Sequence, residues 1–262
     1  MPLPFGTPIP IPNGHYQLIR LNDTTAVIAN YTNEWAQAIL PAEQQDLPEQ
    51  GEISTLPSDL DVTRWTANPS DSEIRILPAF PDLSLIARTR GVITLPPGGE
   101  AQFFLGIPAT RQVLAESAGF PISLVTLPAK VLTKTWHGNQ HVGTACYSLD
   151  TRARREISNL ELFHDSIICP LTVRNQSPES LSFEHLFIDP QHFAIYSTSD
   201  QLWSSAATLT VRDPGETFTR LKISHKAPAS QPNATELVGP ATVDTGKAQV
   251  HKAFSSYYDV LS

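Results

Sequence analysis

Short apolar runs separated by turn residues recur along this chain and predict a protein built from β-strands. Residues 167–196 show the pattern most clearly, with apolar runs over 167–173 and 181–188 on either side of the polar stretch 176–180. Proline presets φ and short polar side chains cap free backbone groups, so 176–180 is predicted to be a turn. We interpret the stretch as a meander of three strands, which needs other strands to cover its apolar face.

The same pattern predicts strands elsewhere in the chain: a pair over 15–31, strands over 74–95 and 102–107 around the turn at 96–99, a hairpin over 128–149 and another over 201–225. The 23 prolines are scattered among these runs, which argues against long helices. We therefore predict an all-β fold with two packed β-sandwich-like modules, residues 1–127 and 128–262.

Residues 41–73 interrupt the strand pattern. They are acidic and rich in proline, serine and glutamine, and few apolar residues lie among them. We interpret them as a long loop of the first module, broken by a short strand near Arg64 and Trp65. Loops of this length are uncommon in compact domains unless they are functional or covered by a partner.

The C-terminal residues 246–262 change to a helical period. Their apolar residues recur at intervals that place them on one helix face: Val250, Phe254, Tyr257, Tyr258 and Leu261. The pattern predicts a short amphipathic helix at the end of the second module. This helix either packs on its own sheet or binds another subunit or a partner, and in the second case Phe254, Tyr257 and Tyr258 are candidate binding residues.

The net charge of −8 makes nucleic acid an unfavourable general partner. Acidic residues are concentrated in the first half: residues 1–128 hold 6 basic and 13 acidic residues, whereas 129–262 hold 12 and 13. This asymmetry agrees with two modules.

Several features favour a cytoplasmic protein. The start of the chain lacks a basic region and is cut by prolines, which is unlike a signal peptide. The two cysteines are too few for the disulfide framework of a secreted scaffold. No stretch approaches the roughly 18 apolar residues of a membrane span.

One group of residues has the chemistry of a metal site. His137, His141 and Cys146 follow one another closely, and Cys169 lies further along the chain. Zinc binds imidazoles and thiolates, but this spacing matches no standard zinc motif. The same histidines could pair with Cys146 as a thiolate nucleophile, or could simply lie at a surface turn while the cysteines are buried.

Two further residue groups are candidates for binding. The run Arg152, Arg154 and Arg155 could meet a phosphate, an anionic membrane surface or an acidic partner, or could form a solvated face. Four tryptophans could line a carbohydrate groove or fill the cores: Trp35, Trp65, Trp136 and Trp203. The chain has neither a nucleophile elbow nor a glycine-rich phosphate loop, so we assign no catalytic residue and no cofactor.

Three short segments resemble an uncharacterised prokaryotic all-β family of unknown function: residues 3–6, 169–175 and Leu202-Trp203. The resemblance runs through most of the chain and implies no reaction, cofactor or catalytic residue. It associates the chain with small mechanosensitive channels as neighbours, so a membrane-protein complex is one partner to consider, although none of these residues supports that association.

We expect a non-enzymatic binding or accessory protein that docks on another macromolecule, either a partner protein or a second copy of this chain. The expectation depends on the acidic loop 41–73, the amphipathic tail and the missing catalytic motif. One alternative is a β-sandwich that binds a small molecule or carbohydrate. The other is a metal- or thiol-dependent enzyme that uses His137, His141 and Cys146.

Overall fold

The computed structural model describes residues 5–41, 47–66, 69–117, 120–138, 143–162, 165–212, 219–224, 226–239 and 249–251. Within these ranges the chain forms β-strands and three single-turn 3₁₀ helices, Ile53–Thr55, Ile157–Asn159 and Pro190–His192, and no α-helix. The all-β prediction is therefore confirmed. No helix in the described part of the chain has the length and apolar character needed to cross a membrane.

The strands of the first half are β1 Pro8–Pro10, β2 His15–Leu21, β3 Thr24–Tyr31, β4 Glu34–Ile39, β5 Gln50–Glu52, β6 Thr63–Thr66, β7 Pro69–Ala79, β8 Ser84–Leu95, β9 Glu100–Pro108, β10 Thr110–Ser117 and β11 Phe120–Pro128. Those of the second half are β12 Thr133–His137, β13 Thr144–Ser148, β14 Ser166–Asn175, β15 Leu181–Ile188, β16 Ile195–Ser197, β17 Leu202–Ser204, β18 Ala207–Val211, β19 Thr219–Ile223, β20 Thr235–Val238 and β21 Gln249–His251.

The strands group into two compact units. Unit 1 comprises Met1–Ala79 and Thr110–Ala129, and unit 2 comprises Phe80–Ala109 and Lys130–Ser262. The chain passes from unit 1 to unit 2 for the last time after Ala129, two residues beyond the predicted boundary at 127/128. The division nevertheless differs from the predicted one, because Phe80–Ala109, which carries β8 and β9, belongs to unit 2.

Unit 1 contains two sheets, β5-β2-β3-β4-β6 and β1-β7-β10-β11. Residues on one face of the first sheet, such as Ile19, Ile28 and Trp35, form a buried core with Ile74 and Val113 of the second. Period-two alternation along β2, β3 and β4 places these side chains on the same face. Unit 1 is therefore a sandwich of two sheets.

The opposite face of the five-stranded sheet is covered by the acidic segment. Apolar side chains Tyr16, Leu18 and Val27 on this face are buried, and the residues packed against their cluster include Leu47, Ile53, Leu56, Leu60 and Val62. The described part of 41–73 also contains β5, a 3₁₀ turn, β6 and the start of β7. This corrects the interpretation of 41–73 as a long loop, although the short strand near Arg64 and Trp65 is present as β6. The widely spaced apolar residues of the segment are the ones that pack on the sheet.

Unit 2 also contains two sheets. The first has the order β12-β13-β8-β15, and the second has the order β20-β16-β17-β14-β18-β19-β21, with β9 also paired to β14. The strand spans predicted within 167–196 are confirmed, but the meander is wrong. β14 pairs with β9, β17 and β18, while β15 pairs antiparallel with β8 of the other sheet. Consecutive strands here separate into different sheets.

A buried asparagine holds the crossing between these two sheets. Asn175 at the end of β14 is 0% exposed. Its amide Nδ2 donates to the carbonyl oxygens of Leu95 and Glu179, at 3.0 and 2.8 Å, and its Oδ1 accepts from Ser177. These bonds tie the 176–180 turn to the end of β8, so the turn leads the chain away from β14 instead of returning along it.

The predicted C-terminal helix is wrong where the structure describes its residues. Gln249–His251 is strand β21 and pairs antiparallel with β19, with Val250 opposite Arg220. Phe254, Tyr257, Tyr258 and Leu261 lie outside the described residues.

Candidate functional site

The predicted arginine run lines a cavity in unit 2. The cavity has a volume of about 580 Å³, and its lining residues are Thr89, Arg90, Ile93, Phe103, Asp150, Arg152, Ala153, Arg154, Arg155, Glu156, Asn159 and Glu161. This volume falls in the range of roughly 300–1,000 Å³ that is typical of ligand pockets. Arg152, Arg154 and Arg155 are thus brought together with Arg90, which sequence reasoning did not select.

The segment that carries the run is hydrogen-bonded to strands on both sides. The Ala153 amide donates to the Arg88 carbonyl of β8 at 2.8 Å. The Arg154 backbone exchanges two hydrogen bonds with Phe104 of β9, at 2.7 and 3.0 Å. Thr151 and Ala153 are buried, while the Arg152 side chain between them is exposed. This alternation turns Arg152 outward from an anchored backbone, so the cationic wall is part of the fold and not of a free loop.

A β-bulge in β8 forms another wall. In the pairing of β8 with β15, Phe183 lies opposite Ile93 and His185 lies opposite Arg88, so residues 89–92 face a single residue of β15. The Thr89 hydroxyl lies 2.5 Å from the Gly91 carbonyl oxygen and 3.1 Å from that of Glu184. The extra residues bend the strand, and bulges of this kind commonly re-aim side chains next to functional sites. Here the bulge brings Arg90 to the cavity.

An aromatic ring supports one of the arginines. The Arg155 guanidinium carbon lies 5.4 Å from the ring centroid of Phe103. Phe103 is itself packed edge-on against Phe183, with 5.9 Å between the ring centroids. A guanidinium held over a ring face keeps its in-plane N–H donors available for a carboxylate or phosphate. Arg155 is therefore oriented without losing its capacity to bind an anion.

The charges around the cavity are partly paired. Arg154 lies 2.8 Å from the Glu161 carboxylate, and Asp150 lies 2.6 Å from the Lys130 ammonium group. Arg90, Arg152 and Arg155 make no ion pair with any other described residue, and the Glu156 carboxylate accepts a hydrogen bond from the Asn159 side-chain amide, at 3.1 Å. Three guanidinium groups and one carboxylate of the lining are therefore without an ion pair among the described residues, and this charge balance favours an anionic ligand.

The predicted metal and thiol residues do not come together in the described structure. His137 ends β12 instead of lying at the hairpin tip; it is 2% exposed, and its ring stacks on Phe187 with 4.3 Å between centroids. His141 lies outside the described residues. Within the described ranges, no group of three or more histidine, cysteine, aspartate or glutamate residues has the arrangement of a metal site.

Both thiols are buried and free. Burial raises the pKa of the Cys146 thiol above its ordinary value. Burial likewise raises the pKa of Cys169 to about 12, although a hydrogen bond from Ser204 acts in the opposite direction. The thiolate is the nucleophilic and metal-binding form, so the surroundings of both cysteines disfavour that chemistry.

The tryptophans do not share an exposed face. Trp35 is 0% exposed in the core of unit 1, and Trp203 is 3% exposed in a core cluster of unit 2. Trp65 packs against the same core as Trp35, whereas Trp136 is 61% exposed. Core packing explains three of these side chains.

Sequence reasoning missed Arg90, Ile93 and Phe103 as lining residues. One signal for Arg90 was present: Gly91 interrupts an apolar strand pattern, and an isolated glycine in a strand often marks a bulge. Phe103 carried no such signal, because its apolar run predicts only a buried strand.

The sequence matches the family described as "protein of unknown function (DUF432)" over residues 12–257. The chain belongs to the DUF432 family. Membership confirms the expected family of unknown function. No curated protein and no solved structure matches the chain.

Proposed function

We propose that this DUF432 protein is a non-enzymatic accessory protein that docks on another protein through the arginine-lined cavity of unit 2. The supporting observation is the set of three guanidinium groups, on Arg90, Arg152 and Arg155, that have no carboxylate partner among the described residues. Guanidinium groups form strong paired hydrogen bonds with carboxylates, and arginine is enriched at the energetic centres of protein interfaces.

The chemistry of the lining supports binding in preference to catalysis. Its one hydroxyl side chain, on Thr89, is engaged with backbone carbonyl oxygens. The candidate nucleophile Cys146 is buried in β13 and does not line the cavity. A cytoplasmic location and a prokaryotic source belong to the same proposal.

The acidic segment 41–73 and the C-terminal tail, which suggested docking from the sequence, support the proposal less than the cavity does. The described part of the acidic segment 41–73 packs its apolar side chains on its own sheet, so these apolar side chains are less available to a partner. A second contact with the partner, through the tail residues Phe254, Tyr257 and Tyr258, is still predicted from the sequence. The arginine-lined cavity, and not the acidic segment, is therefore the main support for docking on a partner protein.

The test is affinity capture from a native lysate of the source organism with the full chain as bait. The double variant Arg152→Gln/Arg155→Gln is compared with Arg174→Gln, whose side chain is half-exposed outside the cavity and pairs with Glu100. We expect a partner that wild type and Arg174→Gln retain and the double variant loses at least tenfold. Mass determination then separates a different protein from a second copy of this chain. Equal retention by all three baits overturns the proposal.

A further inference from the structure

The charges that remain unpaired around the cavity define the charge of its occupant. Once Arg154 is paired with Glu161 and Asp150 with Lys130, the lining retains three cations and the single anion Glu156. Two negative charges on a ligand would balance this excess. Charged groups attract a ligand of opposite charge more strongly where neighbouring side chains partly exclude water.

The placement of the free guanidinium groups favours two separate anionic groups over one concentrated dianion. Arg90 comes from the bulge of β8, whereas Arg152 and Arg155 come from the segment anchored between β8 and β9. Arg155 is further held over the Phe103 ring. Because Arg90 lies on one element and Arg152 and Arg155 on another, one carboxylate can pair with Arg90 and a second with the other two arginines.

The carboxylates of the lining also favour two spaced anionic groups over a single phosphate dianion. Asp150, Glu156 and Glu161 all line the cavity among the arginines. A phosphate dianion brings its charge to one point and would meet these carboxylates at close range, whereas two spaced carboxylates can avoid them. The lining also includes apolar Ile93, Phe103 and Ala153, which suit an apolar side chain.

We infer that the occupant is a short acidic segment of the partner protein, with two carboxylates on either side of an apolar side chain. In an extended segment, side chains two residues apart point to the same side, so acidic, apolar and acidic residues at every second position present both carboxylates and the apolar side chain to the cavity together. This inference rests on the proposed docking function and names the partner's contribution to the same site.

The experiment titrates the full chain with the peptide acetyl-Glu-Ser-Leu-Ser-Glu-amide, using acetyl-Gln-Ser-Leu-Ser-Gln-amide and inorganic phosphate as parallel ligands. Chemical shifts of the arginine Nε–Hε groups report binding at the guanidinium groups. We expect the acidic peptide to shift them at millimolar concentration and the neutral peptide to leave them unchanged. Phosphate should bind at least tenfold more weakly than the acidic peptide. Phosphate binding as tight as, or tighter than, that of the peptide overturns the inference in favour of a phosphorylated ligand.

Three variants separate binding at the cavity from nonspecific attraction. Arg152→Gln/Arg155→Gln should weaken peptide binding at least tenfold, and Arg174→Gln should leave it unchanged. Glu156→Gln should tighten binding severalfold, because it removes the one lining carboxylate that lacks a cationic partner. A misfolded variant would not bind the peptide more tightly. If Glu156→Gln binds the peptide no more tightly than the wild type, the charge argument is contradicted.

The two proposals fail differently. If the lysate yields an arginine-dependent partner but the acidic peptide does not bind, docking stands and the acidic segment is wrong. If the peptide binds in the predicted order of variants but no arginine-dependent partner is captured, the anion site stands and docking is wrong.

Discussion

Burial determines what the individual reactive side chains can do. Cys146 and Cys169 are both 0% exposed, and His137 is 2% exposed with its ring against Phe187. Each residue type could support metal or nucleophilic chemistry, yet that chemistry needs an accessible thiolate or imidazole nitrogen. The arginines differ, because a long charged side chain can leave an anchored backbone and reach solvent. At the residue scale, anion binding is therefore better supported than thiol chemistry.

The thiols should resist alkylation in the native protein. With the pKa of Cys169 at about 12 and that of Cys146 also raised by burial, neither thiol ionises appreciably near pH 8. Incubation with iodoacetamide should leave both unmodified until denaturant is added, after which mass spectrometry should show two additions. Rapid modification of Cys146 in the folded protein would revive the thiol-enzyme alternative.

At the scale of single elements, the segment over 47–62 covers one face of a sheet. The segment over 47–62 is polar in sequence, yet its spaced apolar residues pack on the five-stranded sheet of unit 1. A sheet with apolar residues on both faces needs a second layer on each. The four-stranded sheet contacts one face, and this segment supplies the other layer.

Truncating this segment's contacts should destabilise the protein. Leu56 is half-buried against the sheet, so Leu56→Ala should lower the free energy of unfolding by about 1–2 kcal/mol, below the roughly 2–5 kcal/mol of a fully buried leucine. The exposed Asp59→Asn in the same segment is the control and should change it by less than about 0.5 kcal/mol. Urea unfolding measures both. An unchanged midpoint for Leu56→Ala would mean that the segment does not cover the sheet in solution.

At the scale of the whole molecule, charge is divided between the units. Unit 1 holds 4 basic and 11 acidic residues, a balance of −7, and unit 2 holds 14 and 15, a balance of −1. The arginine-lined cavity belongs to the unit without the acidic excess. An acidic segment of a partner would therefore meet less repulsion at unit 2 than at unit 1.

The tail can be tested for a role in assembly without disturbing the sheet. Because Gln249–His251 pairs with β19, a chain ending at His251 keeps this strand and removes Phe254, Tyr257 and Tyr258. We expect the truncated chain to form a smaller native assembly by light scattering, with a melting temperature close to that of the full chain. An assembly of unchanged mass would count against the tail.

Much of the strand content could be predicted because its signals are local. β14 at Ser166–Asn175 and β15 at Leu181–Ile188 were recognisable from apolar runs and a proline-containing turn. Their pairing was not recognisable. β14 joins β9, whose residues lie at 100–108, and the choice between that strand and the adjacent β15 depends on which faces the rest of the chain covers.

By itself, the sequence determined an all-β protein, the position of most strands and the cluster of three arginines, since these follow from neighbouring residues. Tertiary structure decided that the histidine and cysteines are buried, that the acidic segment covers a sheet, and that Arg90 and Phe103 join the arginine run. The bulge at 89–92 and the pairing of 153–154 with β8 and β9 bring those residues together. Such contacts join residues about 50 positions or more apart, and only burial of the whole chain selects among them.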